Sequence, residues 1–420
     1  MATPPTPPTT PPAGAPPASA AQPAAAAAAK SAFPTSALLS AMLRVSKKVS
    51  DLIFSPGRPP QVELDGQLVP VKIEQVPVLS AEDTTRIAGE FIGQNRVALD
   101  KLRKEGSCDI SYSLPKLARF RVNIFTQRGS CAIVMRVIPT TVPDFETFNL
   151  PPQLAEICDM KNGIVLVTGP TGSGKSSTLA AIIDKINNEK AYHIVAIEDP
   201  IEFMHPHKKC TIHQRELHSD TPSFALALRA ALRQAPKVIL VGEMRDRETI
   251  ETALEAAETG HLVLSTLHTV DASKTVERII GVFDLGEQQA IRSRFSKTFR
   301  YIVSQRLMPR AGGGRVAAME ILKATMRTRE YVEKGESEGK TLTDAMRDGQ
   351  LDGMQHFDMV IEKMIRDGVV DYETGLVYAT NRGNLELELA DFKAPAKQTG
   401  AVPAAPAPAS SPGPEIEIER

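Results

Sequence analysis

The residues best placed to do chemistry form one run, Gly169-Pro170-Thr171-Gly172-Ser173-Gly174-Lys175-Ser176, followed by Ser177. The spacing Gly-x-x-x-x-Gly-Lys-Ser is that of a phosphate-binding loop between a strand and a helix. Glycines let successive backbone N–H groups curl around phosphate oxygens, and the N-terminus of the following helix favours anions. Lys175 has the reach to touch the β- and γ-phosphates of a nucleoside triphosphate, and the Ser176 hydroxyl suits magnesium. A Gly-rich turn with an accidental Lys-Ser would have no reason to follow an apolar strand and open a helix; this run does both.

Other acids and bases are spaced to serve the same chemistry. Val238–Val241 is an apolar run ending in Gly242-Glu243, and Ile197 leads into Glu198-Asp199-Pro200-Ile201-Glu202. Carboxylates at the carboxyl ends of parallel strands face the crevice where ligands bind. There Glu198 or Glu243 can activate the attacking water, while Ser176, Asp199, Glu202 and Glu243 are the candidate magnesium ligands. Which glutamate is the principal base stays open, and the bland alternative is a surface turn shaped by Pro200. His261 and His268 bracket another apolar strand; with no third ligand in view a metal site is disfavoured, and a γ-phosphate sensor is the better reading for one of them. Arg119, Arg121, Arg128 and Arg136 lie on two adjacent predicted strands, with Arg119 and Arg121 sharing one face. They form either a solvated sheet face or a set of arginines acting in trans on a neighbouring subunit's nucleotide. Arg229 and Arg233 are equally eligible for a subunit interface.

The elements that must position these groups follow from the hydrophobic pattern. Ile164–Thr168, His193–Glu198, Val238–Val241 and Leu262–Leu267 are β-branched or Leu-rich runs with little alternation, as strands buried on both faces require. Helical patterns at Lys175–Asn188, Ser223–Gln234 and Arg247–Glu258 separate them, which predicts an α/β fold with a parallel sheet. Residues 36–140 read as a smaller α+β domain, with helices over Ala37–Val49 and Ala81–Phe91. Its strands are expected near Gln61–Leu64, Gln67–Val71, Asp109–Ser113, Arg119–Phe125 and Cys131–Val137. Residues 141–150, with Pro143 and the following Pro151, read as a hinge. The core that carries the phosphate loop spans 151–285, and 286–390 reads as mainly helical, broken by Gly312-Gly313-Gly314 and a strand-like Arg315–Ile321. The Pro/Ala-rich ends, 1–35 and 391–420, carry too little apolar surface to offset their ordering entropy and read as disordered.

Composition removes several classes of function. Lys+Arg 49 against Asp+Glu 50 leaves a net charge of −1, which argues against a general nucleic-acid binder. The four cysteines, 108, 131, 158 and 210, show no C-x-x-C spacing. A zinc knuckle and a redox dithiol are therefore disfavoured, and reduced thiols in a cytoplasmic protein are expected. No apolar run reaches the ~18 residues of a membrane span, and the N-terminus is not built as a signal peptide.

Glu198 to Phe203, Gln214-Arg215-Glu216, Gly242-Glu243-Met244-Arg245-Asp246 and Ala257 to Thr269 together resemble the secretion-superfamily ATPases. Within these they most resemble the type IV pilus retraction motors (PilT/PilU type), over about residues 36–390. The resemblance implies a PAS-like N-terminal domain, a RecA-like ATPase domain and a homohexameric ring using ATP and Mg2+. It also implies that Glu198 and Glu243 serve metal and water, and that His261 and His268 lie near the nucleotide. At least one of Arg119, Arg121 and Arg136 would act in trans. A pilus platform protein of the inner membrane is the implied partner, which places the chain peripherally at that membrane's cytoplasmic face. The chain lacks the tetracysteine insertion common in secretion and pilus-extension ATPases, which favours the retraction branch over them. It departs from that branch at Ala324–Val332, where an Ala-Ile-Arg-Asn-Leu-Ile-Arg segment is usual, and at Asp51–Phe54, where Asp-Leu-His is usual. An accessory motor working with a second retraction ATPase therefore stays open. So do an extension or type II secretion ATPase and a catalytically weak protein that modulates another motor.

Overall fold

The computed structural model describes residues 33–392, except 65, 75, 116 and 140. The arms at 1–35 and 391–420 lie outside the described residues but for their innermost few. The chain forms two compact units: one runs to Asp109 and adds Val122–Arg136, and the other joins Ile110–Arg121 to everything from Val137 onward.

The N-terminal elements are α1 (Thr35–Leu43), β1 (Val49–Phe54), β2 (Gln61–Leu64), β3 (Gln67–Pro70), α2 (Ala81–Ile92) and α3 (Arg96–Glu105). With β4 (Ser107–Leu114), β5 (Ala118–Gln127) and β6 (Ser130–Ile138) they give a six-stranded sheet of order β3-β2-β1-β6-β5-β4. One expectation is corrected here, and a strand and a helix that the pattern did not show are added. The helix expected over Ala37–Val49 stops at Leu43, and Val49–Phe54 pairs with both β2 and β6, burying Leu52 and Phe54 completely. A β-branched and aromatic run with two strand partners gains more as a strand than as a further helical turn. Helix α3 was not legible because its charged sequence buries only Ala98; the Asn95 side chain accepting from Ala98 N, and Gly106 in the left-handed region, define its ends.

The second unit bears out the expected α/β architecture. Its elements are β7 (Gly163–Thr168), α4 (Lys175–Glu189), β8 (His193–Glu198), β9 (Thr211–Glu216), α5 (Phe224–Ala231), β10 (Val238–Val241), α6 (Arg247–Glu258), β11 (Leu262–Leu267), α7 (Ala272–Ile280) and α8 (Leu285–Thr298). They continue through β12 (Phe299–Pro309), β13 (Arg315–Lys323), α9 (Met326–Lys334), α10 (Leu342–Asp348), α11 (Phe357–Arg366), α12 (Tyr372–Tyr378) and α13 (Arg382–Glu388). The sheet order is β13-β12-β7-β11-β10-β8-β9, parallel from β12 to β9, with β13 antiparallel at one edge.

Alternation divides each central strand between two cores. Ile164, Leu166, Val195, Ile197, Ile239 and Val241 pack with α5 to α8 on one face, while Val165, Val167, Ile194, Ala196, Val238 and Leu240 meet α4 on the other. The expected helical region after residue 286 is corrected by β12, an eleven-residue strand parallel to β7. Its two faces are both buried against helices, so it shows neither clean alternation nor a helical period. Edge strand β9, Thr-Ile-His-Gln-Arg-Glu, was missed because it is mostly polar.

Candidate active site

The phosphate loop joins the end of β7 to the start of α4. Gly169, Gly172 and Gly174 have φ of 143°, 79° and 93°, in or near the left-handed region that L side chains avoid. Gly169 is also crowded, since a Cβ there would lie 2.5 Å from the Gln305 carbonyl oxygen and 2.6 Å from Ser173 Oγ. No side chain caps α4 at Gly174, so the first-turn N–H groups face outward with no side-chain acceptor of their own. Ser173 Oγ is buried without a partner among the described residues. Lys175 curls back over the loop, its Nζ donating to Gly169 O at 2.9 Å and Pro170 O at 3.1 Å. Burial lowers its pKa, partly opposed by the charge of Glu243. Ser176 follows it, exposed on the first turn, with Ser177 beside it. Both the orphaned hydroxyl and the uncapped helix fit a phosphate anion.

Three neighbouring strands bring their carboxyl ends to the same edge. Gly242 packs so closely on β8 that a Cβ would meet Glu198 Cα and Ile197 O at 3.3 Å each, which sets Glu198 and Glu243 on adjacent strand ends. Glu198 is buried and accepts from Gln214 Nε2 at 2.9 Å; Gln214 is itself fixed by Phe203 O and His205 N. Burial raises the Glu198 pKa to about 7, against the lowering effect of Gln214 and the Glu202 N–H. Glu243 accepts from Arg245 Nη2 at 2.6 Å, and its Oε2 lies 3.3 Å from His268 Nε2. His268 Nδ1 lies 3.4 Å from Lys175 Nζ. An ammonium only donates, so Nδ1 accepts, and the ring proton on Nε2 faces Glu243. His268 thus bridges Lys175 and Glu243.

Asp199 and Glu202 are exposed on the loop after β8, with a cis bond from Asp199 to Pro200. Among the described residues no three His, Cys, Asp or Glu side chains converge as a metal cage. A pocket of about 300 Å³ is lined by Glu243, Met244, Arg245, His268, Thr269 and Arg278, together with Leu267.

The two histidines part company, which corrects the expectation that both lie near the nucleotide. His268 follows β11 at the loop edge, whereas His261 precedes it, and its carbonyl accepts from Gly163 N at the start of β7. Six residues of strand separate them, about 20 Å. There His261 Nδ1 lies 3.0 Å from Ala256 O, a local bond at the end of α6.

The arginines also differ. Arg119 and Arg121 alternate with fully buried Phe120 and Val122. Within the second unit Arg119 Nη2 donates to Glu216 Oε2 at 3.1 Å, Ser111 donates to Glu216 Oε1, and the same Oε2 receives Ile201 N at 3.1 Å. Arg119 is thereby engaged beside the loop after β8. Arg136 pairs with the buried Asp51 at 2.9 Å. Arg121 is exposed, and among the described residues no side chain is bonded to it. Sequence reasoning gave no role to Gln214, Arg245 or Glu216. Gln214 and Glu216 lie on the unread strand β9, and Arg245 follows Glu243 too closely for spacing to show that it folds back.

A family model described as type II/IV secretion system protein matches residues 92–364. The chain is 42% identical over 341 residues to the type IV pilus retractation ATPase PilT of Pseudomonas aeruginosa, covering 80% of this chain and 96% of that protein. It is 37% identical over 346 residues to the type IV pilus ATPase PilU of the same organism, covering 82% and 89%. A crystal structure of the pilus retraction motor PilT with bound ADP superposes with a TM-score of 0.75 and 40% identity, over 84% of this chain and 99% of that one. A phosphate loop of this geometry, inside a match of this extent, leaves one conclusion: the chain belongs to the type II/IV secretion system protein family and is an ATPase.

Proposed function

We propose that the chain is an ATP-driven motor of type IV pilus retraction. The observation that carries the reading is the extent of likeness to a retraction ATPase, which reaches 96% of the Pseudomonas PilT and 80% of this chain. ATP would lay its phosphates in the loop, and Lys175 would exchange the carbonyls of Gly169 and Pro170 for phosphate oxygens. The first turn of α4 would supply N–H groups to the same anion. Ser176 and Glu243 would hold magnesium in this reading, with Asp199 and Glu202 on the adjoining loop as further ligands. A magnesium ion held there would supply positive charge to the phosphate oxygens. Water attacks the γ-phosphorus as the bond to the β,γ-bridging oxygen breaks, and Glu198 takes the water's proton. Its pKa of about 7 suits an acceptor working near neutrality. His268 keeps Lys175 and Glu243 in register.

The working unit in this reading is a homohexamer. Arg121, with no side chain bonded to it among the described residues, reaches the nucleotide of a neighbouring subunit, with Arg119 and Arg136 available after release from Glu216 and Asp51. Motion about residues 141–150, between the 36–140 domain and the ATPase domain, carries the work to a platform protein at the cytoplasmic face of the inner membrane. Among the described residues no helix is long and apolar enough to cross a membrane.

A second reading, an accessory motor of the PilU kind, is favoured by α9, which replaces the expected Ala-Ile-Arg-Asn-Leu-Ile-Arg and leaves Met326 92% exposed. Twitching by a strain lacking the gene separates the two. Lost twitching supports the main motor; twitching that fails only when a second retraction ATPase is weakened supports the accessory one. Twitching indifferent to the gene under both conditions overturns the retraction reading.

A further inference from the structure

Beneath the phosphate loop runs a line of buried polar side chains that the reaction as described does not use. Thr168, just before Gly169, is in register with Ser304 of β12, and Ser304 with Glu320 of β13. Thr168 and Ser304 are fully buried and Glu320 is 4% exposed. Thr168 Oγ1 donates to Ser304 Oγ at 3.1 Å, and Ser304, opposite Glu320 in register, acts to lower the pKa of that carboxyl. Glu320 Oε1 accepts the backbone N–H of Ala272 at 2.8 Å.

Ala272 is the first residue of α7, and the segment that enters it is His268-Thr269-Val270-Asp271. Thr269 Oγ1 lies 2.6 Å from Thr275 Oγ1, which is 3.5 Å from Thr168 Oγ1. The Thr269–Thr275 line meets the Ser304 line at Thr168, and Glu320, opposite Ser304 in register, ties this end of β12 and β13 to the start of α7 through the Ala272 N–H. Arg306 and Asp271 are the charges that bear on it. The Arg306 guanidinium is itself engaged, stacking 3.7 Å from the Phe357 ring centre and donating to Tyr378 O at 2.6 Å. Burial raises the Glu320 pKa to about 7 despite the Ala272 N–H. A carboxyl so placed costs stability relative to an apolar side chain of similar volume, so packing does not account for it.

We propose that Glu320 is a positioning residue for ATP hydrolysis, holding the His268 segment against the phosphate loop through Ala272 N–H and the Ser304–Thr168 relay. This rests on the place given above to His268. The contacts of His268 with Lys175 and Glu243, 3.4 and 3.3 Å, leave little room for displacement. A shift of about 1 Å in such a group costs up to about 100-fold in rate.

The test is steady-state turnover of the full chain carrying Glu320→Ala, Glu320→Gln, Ser304→Ala, His268→Ala and the pairs with His268→Ala. Glu320→Ala is expected to lower kcat about 10-fold, with KM for ATP moving less than about 3-fold, as for an interaction that acts on the chemical step. Glu320→Gln, which keeps the acceptor for Ala272 N, should restore most of that loss. With His268 already removed, Glu320→Ala or Ser304→Ala should cost less than about 2-fold more, because residues acting through one another are not additive. If Glu320→Ala does not fold, Ser304→Ala and Glu320→Gln carry the comparison. A loss that multiplies fully with that of His268→Ala, a loss confined to KM, or wild-type kcat in both Glu320→Ala and Ser304→Ala overturns the proposal. Wild-type turnover in His268→Ala alone would instead remove His268 from the site, and this inference would fall with it.

Discussion

Lys175 spans the gap between the loop carbonyls and the His268 ring. Lys175→Ala should depress turnover by about 100-fold or more, in line with the loss of a charged stabiliser at a reacting centre; steady-state phosphate release checks this. Gly169→Ala combines φ of 143° with a Cβ 2.5 Å from a backbone oxygen, so the loop itself must shift. Weakened nucleotide binding by titration is the expected sign. Glu198 predicts a pH dependence. Folding raises its pKa from 4.5 to about 7, so the native state holds a proton that the unfolded chain releases across that interval. Stability contributed by this group therefore falls as pH rises from about 4.5 to about 7, while turnover rises through about 7 as the carboxylate forms. Glu198→Gln should flatten the stability slope and abolish the rising limb of turnover together. A Glu198→Gln enzyme that keeps the limb would pass the base to Glu243.

Much at this scale was legible before any fold was known. Gly-x-x-x-x-Gly-Lys-Ser is a local motif, whose function depends on backbone conformation that its own glycines dictate. Spacing offered one of His261 and His268 to the nucleotide without saying which end of the strand faces it, and it was the resemblance that put His261 there as well. The fold of Arg245 back onto Glu243, and the capture of Glu198 by Gln214, depend on contacts between strands that no short spacing encodes.

Among the elements, α4 ties the site to the core. Its Leu179, Ile182, Ile183 and Ile186 are buried against β7 and its neighbours, so the loop is held from below by apolar packing. Ile182→Ala should cost about 2–5 kcal/mol through lost burial and the cavity left behind. The check is a drop in denaturant midpoint of the ATPase unit, with saturating nucleotide still able to bind. The central strands were legible because burial on both faces leaves runs too apolar for anything else. Strands β9 and β12 and helix α3 were not, for three different reasons: β9 is polar at the sheet edge, β12 mixes aromatic, basic and hydroxyl residues because it passes under the phosphate loop, and α3 buries almost nothing.

The whole molecule raises a question of charge. Around the loop Arg245 is bound to Glu243 and Arg119 to Glu216, while Arg121 has no ion pair among the described residues. A neighbour's Arg121 over each nucleotide would make a head-to-tail contact, which closes into a ring. Turnover per subunit should rise with protein concentration until the ring is formed. Arg121→Ala should lower turnover while sparing nucleotide binding, and mixing it into wild type should reduce activity below the average of the two. A monomer by light scattering with full turnover would remove the ring.

The retraction reading stands or falls on what pili do when hydrolysis stops. The direct measurement is the number of surface pili per cell, by electron microscopy, in a strain whose only copy of the gene carries Lys175→Ala. Pili in excess of wild type, with lost twitching, are the expected result, because assembly continues while withdrawal does not. Bald cells would contradict it and make the chain an extension motor.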